Sequence, residues 1–311
     1  MTDRPDEEWT LRAGDLRATV SPTGASLRRL WVETPFQPDR DLVWGYSDAA
    51  NKKGGQGDVL LPFPGRVAGG TYTFGGKRQE LAKNDKDGPN AIHGFVRAKA
   101  WAGDHEATVA RFRTAVAAGD HPGYPFDLDV VVGYELLPTG LACAFVVRNS
   151  GEGPAPVGAG FHPYLVGATT ADDTVLQVPA GRLVEFGDGL LPTGEVVEVP
   201  PELDFRAGRK VGDVRLNHCL TGLVAGADGF TRVRVGDVEL WMDRHFPYLV
   251  LYTGDALGPH ARKAIAVEPM TCATDAFNHP DWGLKVLQPG EAMAGTWGIG
   301  LRPPARRGAA A

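Results

Sequence analysis

The sequence predicts an all-β protein, a large antiparallel β-sandwich, and three observations carry that expectation. The first is punctuation: 41 glycines and 24 prolines are scattered along all 311 residues instead of being gathered into a linker. Such spacing suits many short strands joined by turns. The second is periodicity, with period-two or β-branched runs at 10–12, 16–20, 27–32, 108–116, 128–136 and 141–149. Half-buried strands require that alternation. The third is a scarcity of amphipathic helical stretches, which leaves sheet packed on sheet as the way to bury a core.

Taken in order, the run 126–137, the turn Pro138-Thr139-Gly140 and the run 141–148 read as a β-hairpin. A loop at 151–156 then delivers the chain into Gly160-Phe161-His162-Pro163-Tyr164-Leu165. Further strands are expected at 174–178 and 183–186, followed by a turn-rich connection at 187–194. After 214–223 come strands at 231–235, 238–242 and 248–253. The last are 263–267 and 294–301, separated by a long loop that holds Pro280-Asp281-Trp282 and the turn Gln288-Pro289-Gly290-Glu291. With no internal repeat and no break in composition, residues 1–301 read as one domain. The tail 302–311 has no apolar period and reads as disordered.

Charge and composition narrow the partners. With 38 acidic and 32 basic side chains the formal charge is -6, which argues against nucleic acid or an anionic membrane. The polar start MTDRPDEEWT lacks the basic end and apolar run of a signal peptide. No stretch approaches the about 18 apolar residues of a membrane span. A soluble cytoplasmic protein, monomer or homodimer, is the expectation. Cys143, Cys219 and Cys272 are widely spaced with no CxxC pair, which fits buried apolar residues better than a disulfide framework or a zinc site.

Four segments carry candidate chemistry. His162 lies between Phe161 and Pro163, so its backbone is restrained and its ring framed by aromatics. Its ordinary pKa suits a general acid or base, although a histidine among aromatics also suits a purely structural place. In Leu61-Pro62-Phe63-Pro64-Gly65-Arg66, two prolines and a glycine fix the backbone ahead of a guanidinium fork suited to hydroxyl or carboxylate oxygens. A solvated arginine in a tight turn fits the same residues. Gly88-Pro89-Asn90-Ala91-Ile92-His93-Gly94 places a histidine after a turn, with Trp101 close behind, and suits a ligand pocket or a structural turn. In Ala264-Ile265-Ala266-Val267-Glu268-Pro269 an apolar strand ends on an acid, and glutamate is seldom fully buried without a partner or a task. A strand-end glutamate turned to solvent is the other reading. Glu268 and His162 together are the minimum pair for shuttling protons on a neutral substrate. Nucleotide cradles, HExxH metal sites and GxSxG elbows are missing from the sequence.

In this order, FPGR (63–66), GPNAIHG (88–94), GFHPYL (160–165), LLPTG (190–194), LYTGD (251–255), AVEPMTCATDAFN (266–278) and LQPGE (287–291) resemble the aldose 1-epimerase (galactose mutarotase) family. Each motif alone is weak; the ordered set spans about residues 10–301. The resemblance implies a large antiparallel β-sandwich with an open sugar cleft, no metal and no organic cofactor. It also implies a reaction, the interconversion of α and β anomers of a free hexose. Carried over by position, Glu268 resembles the catalytic base, His162 the general acid, and Arg66 and His93 the residues that hold the sugar's oxygens.

Two positions depart from the family pattern. Asn217 stands where an aspartate that binds sugar hydroxyls is common, and an amide can still donate and accept. Val250, two residues before Tyr252, stands where a glutamine is frequent. Asn217 and Tyr252 remain candidate substrate-binding residues, and Asp243 is expected in a solvated turn. Two other functions fit the sequence. A hexose-6-phosphate 1-epimerase would need a cationic clamp, which Arg66, Lys83, Lys86 and Arg97 could supply. A non-catalytic carbohydrate-binding protein of the same fold would tolerate the changes at 217 and 250.

Overall fold

The strand Leu128–Leu137 alternates buried and open side chains along its length, and Gly140–Asn149 repeats the pattern. Strands with one apolar face need a second apolar sheet to cover it. In the computed structural model, which describes residues 7–47 and 51–302, they belong to a nine-stranded sheet. Its order is Ala102–His105, Val109–Val116, Leu128–Leu137, Gly140–Asn149, Ala292–Leu301, Val238–Met242, Thr231–Val235, Val175–Gln177 and Arg209–Lys210. A twelve-stranded sheet lies against it. Its main path runs Trp9–Ala13, Leu16–Ser21, Ser26–Val32, Arg40–Val43, Tyr164–Leu165, Ile265–Met270, Tyr248–Tyr252, Asn217–Leu223, Ala180–Phe186 and Pro192–Glu198. Gly160–Phe161 joins it beside Ile265–Met270 and pairs in turn with Val59–Leu60. Pairing within both sheets is antiparallel.

The core fills the space between the sheets. Trp9 of the larger sheet stacks on Phe112 of the smaller one with ring centroids 4.8 Å apart. The Tyr134 hydroxyl donates to the Ala25 carbonyl at 2.8 Å, so a buried phenol is satisfied across the two layers. The larger sheet is apolar on its outer face as well. Ile265 and Val267 join the main core, whereas Ala266 packs with Trp44 and Tyr164, and Met270 with Cys219 and Val250, in separate clusters. That double burial explains why every residue of Ile265–Met270 is buried and why the run shows no polar alternation.

The predicted β-sandwich is therefore present, and among the described residues the helical elements are short 3₁₀ turns such as Gly258–His260. Several boundaries differ. The strand expected to stop at 267 continues through Glu268 and Pro269 to Met270, so the glutamate lies inside a strand, opposite Val250. Pro269 lies opposite Leu249 within that strand. The turn-rich stretch expected at 187–194 becomes strand from Pro192 onward, paired with Ala180–Phe186. Two-residue strands such as Val59–Leu60 and Tyr164–Leu165 were not anticipated. Asp243 does sit in a turn, and its side chain, 20% exposed, is only partly solvated. It accepts the backbone N–H groups of His245 at 2.8 Å and Thr296 at 2.7 Å and so closes the turn. The expected disordered tail lies, apart from Arg302, outside the described residues.

Close backbone approach constrains the loop that carries His93. Gly94 has φ +64°, and a Cβ there would stand 2.0 Å from the Leu61 carbonyl oxygen. At Gly75, with φ +57°, a Cβ would meet nothing within 4 Å. Gly75→Ala should therefore cost about 1 kcal/mol from backbone strain alone. Gly94→Ala should cost at least twice as much in chemical denaturation; equal shifts would show that the 93–94 turn is not held against residues 61–62.

Candidate active site

Two alternations place the central pair. Phe161 turns into the core, with ring centroids 5.1 Å from Trp297 and 5.7 Å from Phe145. His162, the next residue, turns to the outer face of the larger sheet. Its N–H donates to the Asp58 carbonyl at 3.0 Å, and its own carbonyl accepts from Gly57 N–H at 2.9 Å. In the neighbouring strand Val267 faces the core and Glu268 faces out. The Val267 N–H donates to the Pro163 carbonyl at 3.0 Å, which ties the two segments together. The result is His162 Nε2 at 3.3 Å from Glu268 Oε1, with the residues 5% and 2% exposed.

Desolvation dominates the electrostatics of this pair. Burial pushes the Glu268 carboxyl well above its ordinary range, while the Arg66 guanidinium pulls it back and Asp58 pushes it further up. Burial drives His162 down to about 3, and the Lys52 and Arg97 charges act in the same direction. A pair in which the acid resists losing a proton and the imidazole resists gaining one carries a single transferable proton between them. His162 Nδ1 and Glu268 Oε2 have no hydrogen-bond partner among the described residues. A buried polar atom without a partner costs about 1–3 kcal/mol, so each of these two residues carries an unmet hydrogen-bonding need.

The other residues singled out in the sequence gather around this pair. His93, held at φ +64°, takes the Gly65 N–H on Nδ1 at 3.2 Å. The proton is thereby assigned to Nε2, leaving an N–H donor on a ring that stands edge-on to His162, 5.5 Å between centroids. Arg66 is 11% exposed, with Nε 2.8 Å from Asp85 Oδ2 and Nη2 3.4 Å from Asp87 Oδ2. Its carbonyl accepts from the Asp275 N–H at 2.8 Å, and Asp275 Oδ1 accepts from Ala68 N–H at 2.9 Å, so the loop is pinned on both sides of the guanidinium. Asn217, Tyr252, Ala266 and Tyr164 form one row of cross-strand partners, and Cys219, Val250 and Glu268 the adjacent row. Asn217 and Tyr252 thus share the face of Glu268, and Val250 is its immediate neighbour.

Several features fall elsewhere or were missed. Trp101 is buried in the main core with its indole N–H on the Val96 carbonyl, and does not wall the site. Lys83 and Lys86 are exposed on the 81–90 loop, while Arg97 faces Asp58 at 3.7 Å and Arg66 is paired with Asp85, so each of the two arginines already has a carboxylate partner. Tyr164 stacks on His162 at 5.1 Å and donates its hydroxyl to the Gly54 carbonyl. A Cβ on Gly55 would lie 3.0 Å from the His162 ring. The cluster Gly54-Gly55-Gln56-Gly57-Asp58 was the sequence signal for that close approach. The three cysteines are free and buried. Among the described residues no group of three His, Cys, Asp or Glu side chains is placed to hold a metal ion, and no helix is long and apolar enough to cross a membrane.

Several known proteins resemble this chain in sequence or fold. The chain is 29% identical over 278 residues to the uncharacterised protein YihR of Escherichia coli, covering 86% of this chain and 85% of that one. It is 28% identical over 203 residues to galactose mutarotase of Sus scrofa, a match that spans 62% of this chain and 58% of that enzyme. The crystal structure of a GalM/aldose epimerase homologue from C. elegans superposes with a TM-score of 0.84 at 22% identity, covering 96% of this chain and all (100%) of the other. Galactose 1-epimerase from Lactobacillus acidophilus gives 0.78 at 19% identity, with 95% of each chain covered. A sequence model of the aldose 1-epimerase family matches residues 7–299, and the chain belongs to that family.

Proposed function

We propose that the chain is an aldose 1-epimerase that interconverts the α and β anomers of a free, unphosphorylated hexose. The observation that carries this reading is the desolvated His162–Glu268 pair, 3.3 Å apart, each with one unpartnered polar atom. The ring oxygen and the anomeric hydroxyl of a sugar are bonded to the same carbon. A neighbouring donor and acceptor are therefore what ring opening needs. The pair's single proton moves from Glu268 to His162 as the sugar binds, leaving Glu268 ionised and His162 protonated. Glu268 then takes the proton from the C1 hydroxyl while His162 gives its proton to the ring oxygen, and the C1–O5 bond breaks to an open-chain aldehyde. Rotation about C1–C2 and the reverse transfers close the ring as the other anomer. Protons and electrons balance within the pair and the sugar.

Neighbouring residues supply binding. The Nε2–H of His93 and the Arg66 guanidinium offer donors to sugar oxygens, Asn217 offers an amide, and Tyr252 a half-buried aromatic. Val250 makes the floor beside Glu268 apolar where a polar contact is common in the family, so sugar preference rests more on Asn217. The charge balance favours a neutral sugar over its 6-phosphate. Arg66 is already paired with Asp85 and Asp87, and Arg97 with Asp58, so a phosphate dianion would meet carboxylates as well as cations.

Polarimetry on fresh α-D-glucose and α-D-galactose tests the reading. Native protein should accelerate the decay, and Glu268→Gln and His162→Ala should each lower kcat by roughly 10²–10⁴. Undiminished sugar binding with no rate above buffer would instead identify a binding protein. Glucose 6-phosphate should give a lower kcat/KM than glucose; the reverse order would favour the phosphate-specific enzyme.

Glu268 should also oppose stability. Its folded pKa lies above its ordinary 4.5, so the native chain loses stability as pH rises from that value towards the raised one. Glu268→Gln should match the native chain below about pH 4.5. It should then gain an advantage that grows with pH to on the order of 1–3 kcal/mol. Denaturant titrations at several pH values measure it, and a pH-independent difference would contradict the desolvated carboxylate.

A further inference from the structure

Beside the imidazole lies a set of charges that the acid and base roles leave unused. The Asp58 carboxylate is 4% exposed; one oxygen takes the Lys52 ammonium and the other faces Arg97 Nη1 at 3.7 Å. Its main-chain oxygen accepts the His162 N–H. A Cβ on Gly55 would stand 3.0 Å from His162 Cδ2 and 3.5 Å from Asp58 Oδ2, so ring edge and carboxylate flank one glycine. Lys52 also reaches Ser26 Oγ at 3.4 Å and lies over the Tyr46 ring, which holds its ammonium in place. Burying a carboxylate with its ion-pair partners gains little stability over apolar packing, so the position calls for another reason.

We propose that Lys52, Asp58 and Arg97 are positioning residues whose net positive balance makes His162 a stronger proton donor in the reaction; the inference rests on the acid–base reading above. Two cations against one anion favour release of a proton from the imidazole. A sugar ring oxygen is a weak base, and protonating it needs a donor that gives its proton up readily. Burial alone would depress His162, and Lys52 and Arg97 add to that direction. The other titratable or charged groups facing the ring are Glu268 on the adjacent strand, His93 on the 91–97 loop and Tyr164 two residues on, with Arg66 beyond them. Unlike these, none of the three is assigned a contact with the sugar in the acid–base reading above.

Opposite charges should move the titration in opposite directions. Lys52→Met and Arg97→Met each remove a cation and should shift both limbs of the kcat/KM pH profile upward by roughly half a unit to one unit. Asp58→Asn removes the anion and should shift them downward, while Lys52→Arg should leave them in place. Nitrogen NMR titration of the His162 ring reads the same shifts without turnover. Shifts of opposite sign in the ring titration establish the charge set even if no hexose is turned over, a result that would count against the mutarotase reading alone. A ring titration left unmoved by the methionine variants, or moved the same way by all three charge-removing variants, overturns the inference even with activity intact. If Asp58→Asn fails to fold, the two methionine variants against Lys52→Arg still decide the sign.

Discussion

The alternation of side chains along two neighbouring strand segments is the constraint on which the site depends. Successive residues of a strand point to opposite faces. Burying Phe161 against Phe145 and Trp297 therefore turns His162 outward, and burying Val267 in the same core turns Glu268 outward. The hydrogen bond from Val267 N–H to the Pro163 carbonyl fixes the register between them. The distance between the imidazole and the carboxylate is thus set by the packing of the sandwich, whose side chains resist displacement because the core is close-packed. The acid–base pair is held by strands, with Arg66 on the short ladder that pairs Arg66–Val67 with Ala91–Ile92 and His93 in the turn just after it.

Desolvation follows from the same placement. The outer face of the larger sheet is covered by apolar clusters on both sides of Glu268, one around Tyr164 and Trp44 and one around Cys219 and Val250. Water is excluded from the carboxylate and the imidazole, which pushes their proton affinities apart from their ordinary values in opposite senses. The strained turn at His93 and the buried Asp58 belong to the same pattern: local features unfavourable to folding, gathered where a ligand would bind and supported by the large core elsewhere.

Much of this was legible in the sequence, for physical reasons that also explain what was not. Long one-sided strands such as Leu128–Leu137 carry a period that can be read directly. Two-residue strands such as Tyr164–Leu165 are too short to have a period, and only pairing in space defines them. Glu268 stood out as an acid in an apolar run, yet its place inside the strand was hidden by Pro269, which reads as a stop. His162, His93 and Arg66 were found as residues, but their partners were not. Asp85 lies 19 positions from Arg66, and the Asp58 that holds the His162 backbone comes from a distant loop. Asp243 was placed correctly in a turn, while its capping of Thr296 depends on a strand 53 positions away.

The central claim is that the His162–Glu268 pair opens and recloses a free hexose ring. Two-dimensional exchange NMR on an equilibrated solution of D-galactose or D-glucose tests it directly, because the anomeric protons of the two forms are resolved and no net reaction is needed. The account predicts exchange cross-peaks between the α and β anomeric protons that grow with native protein and fall to the buffer level with Glu268→Gln. Exchange that stays at the buffer level with native protein for both sugars, or that persists undiminished in Glu268→Gln, would contradict it.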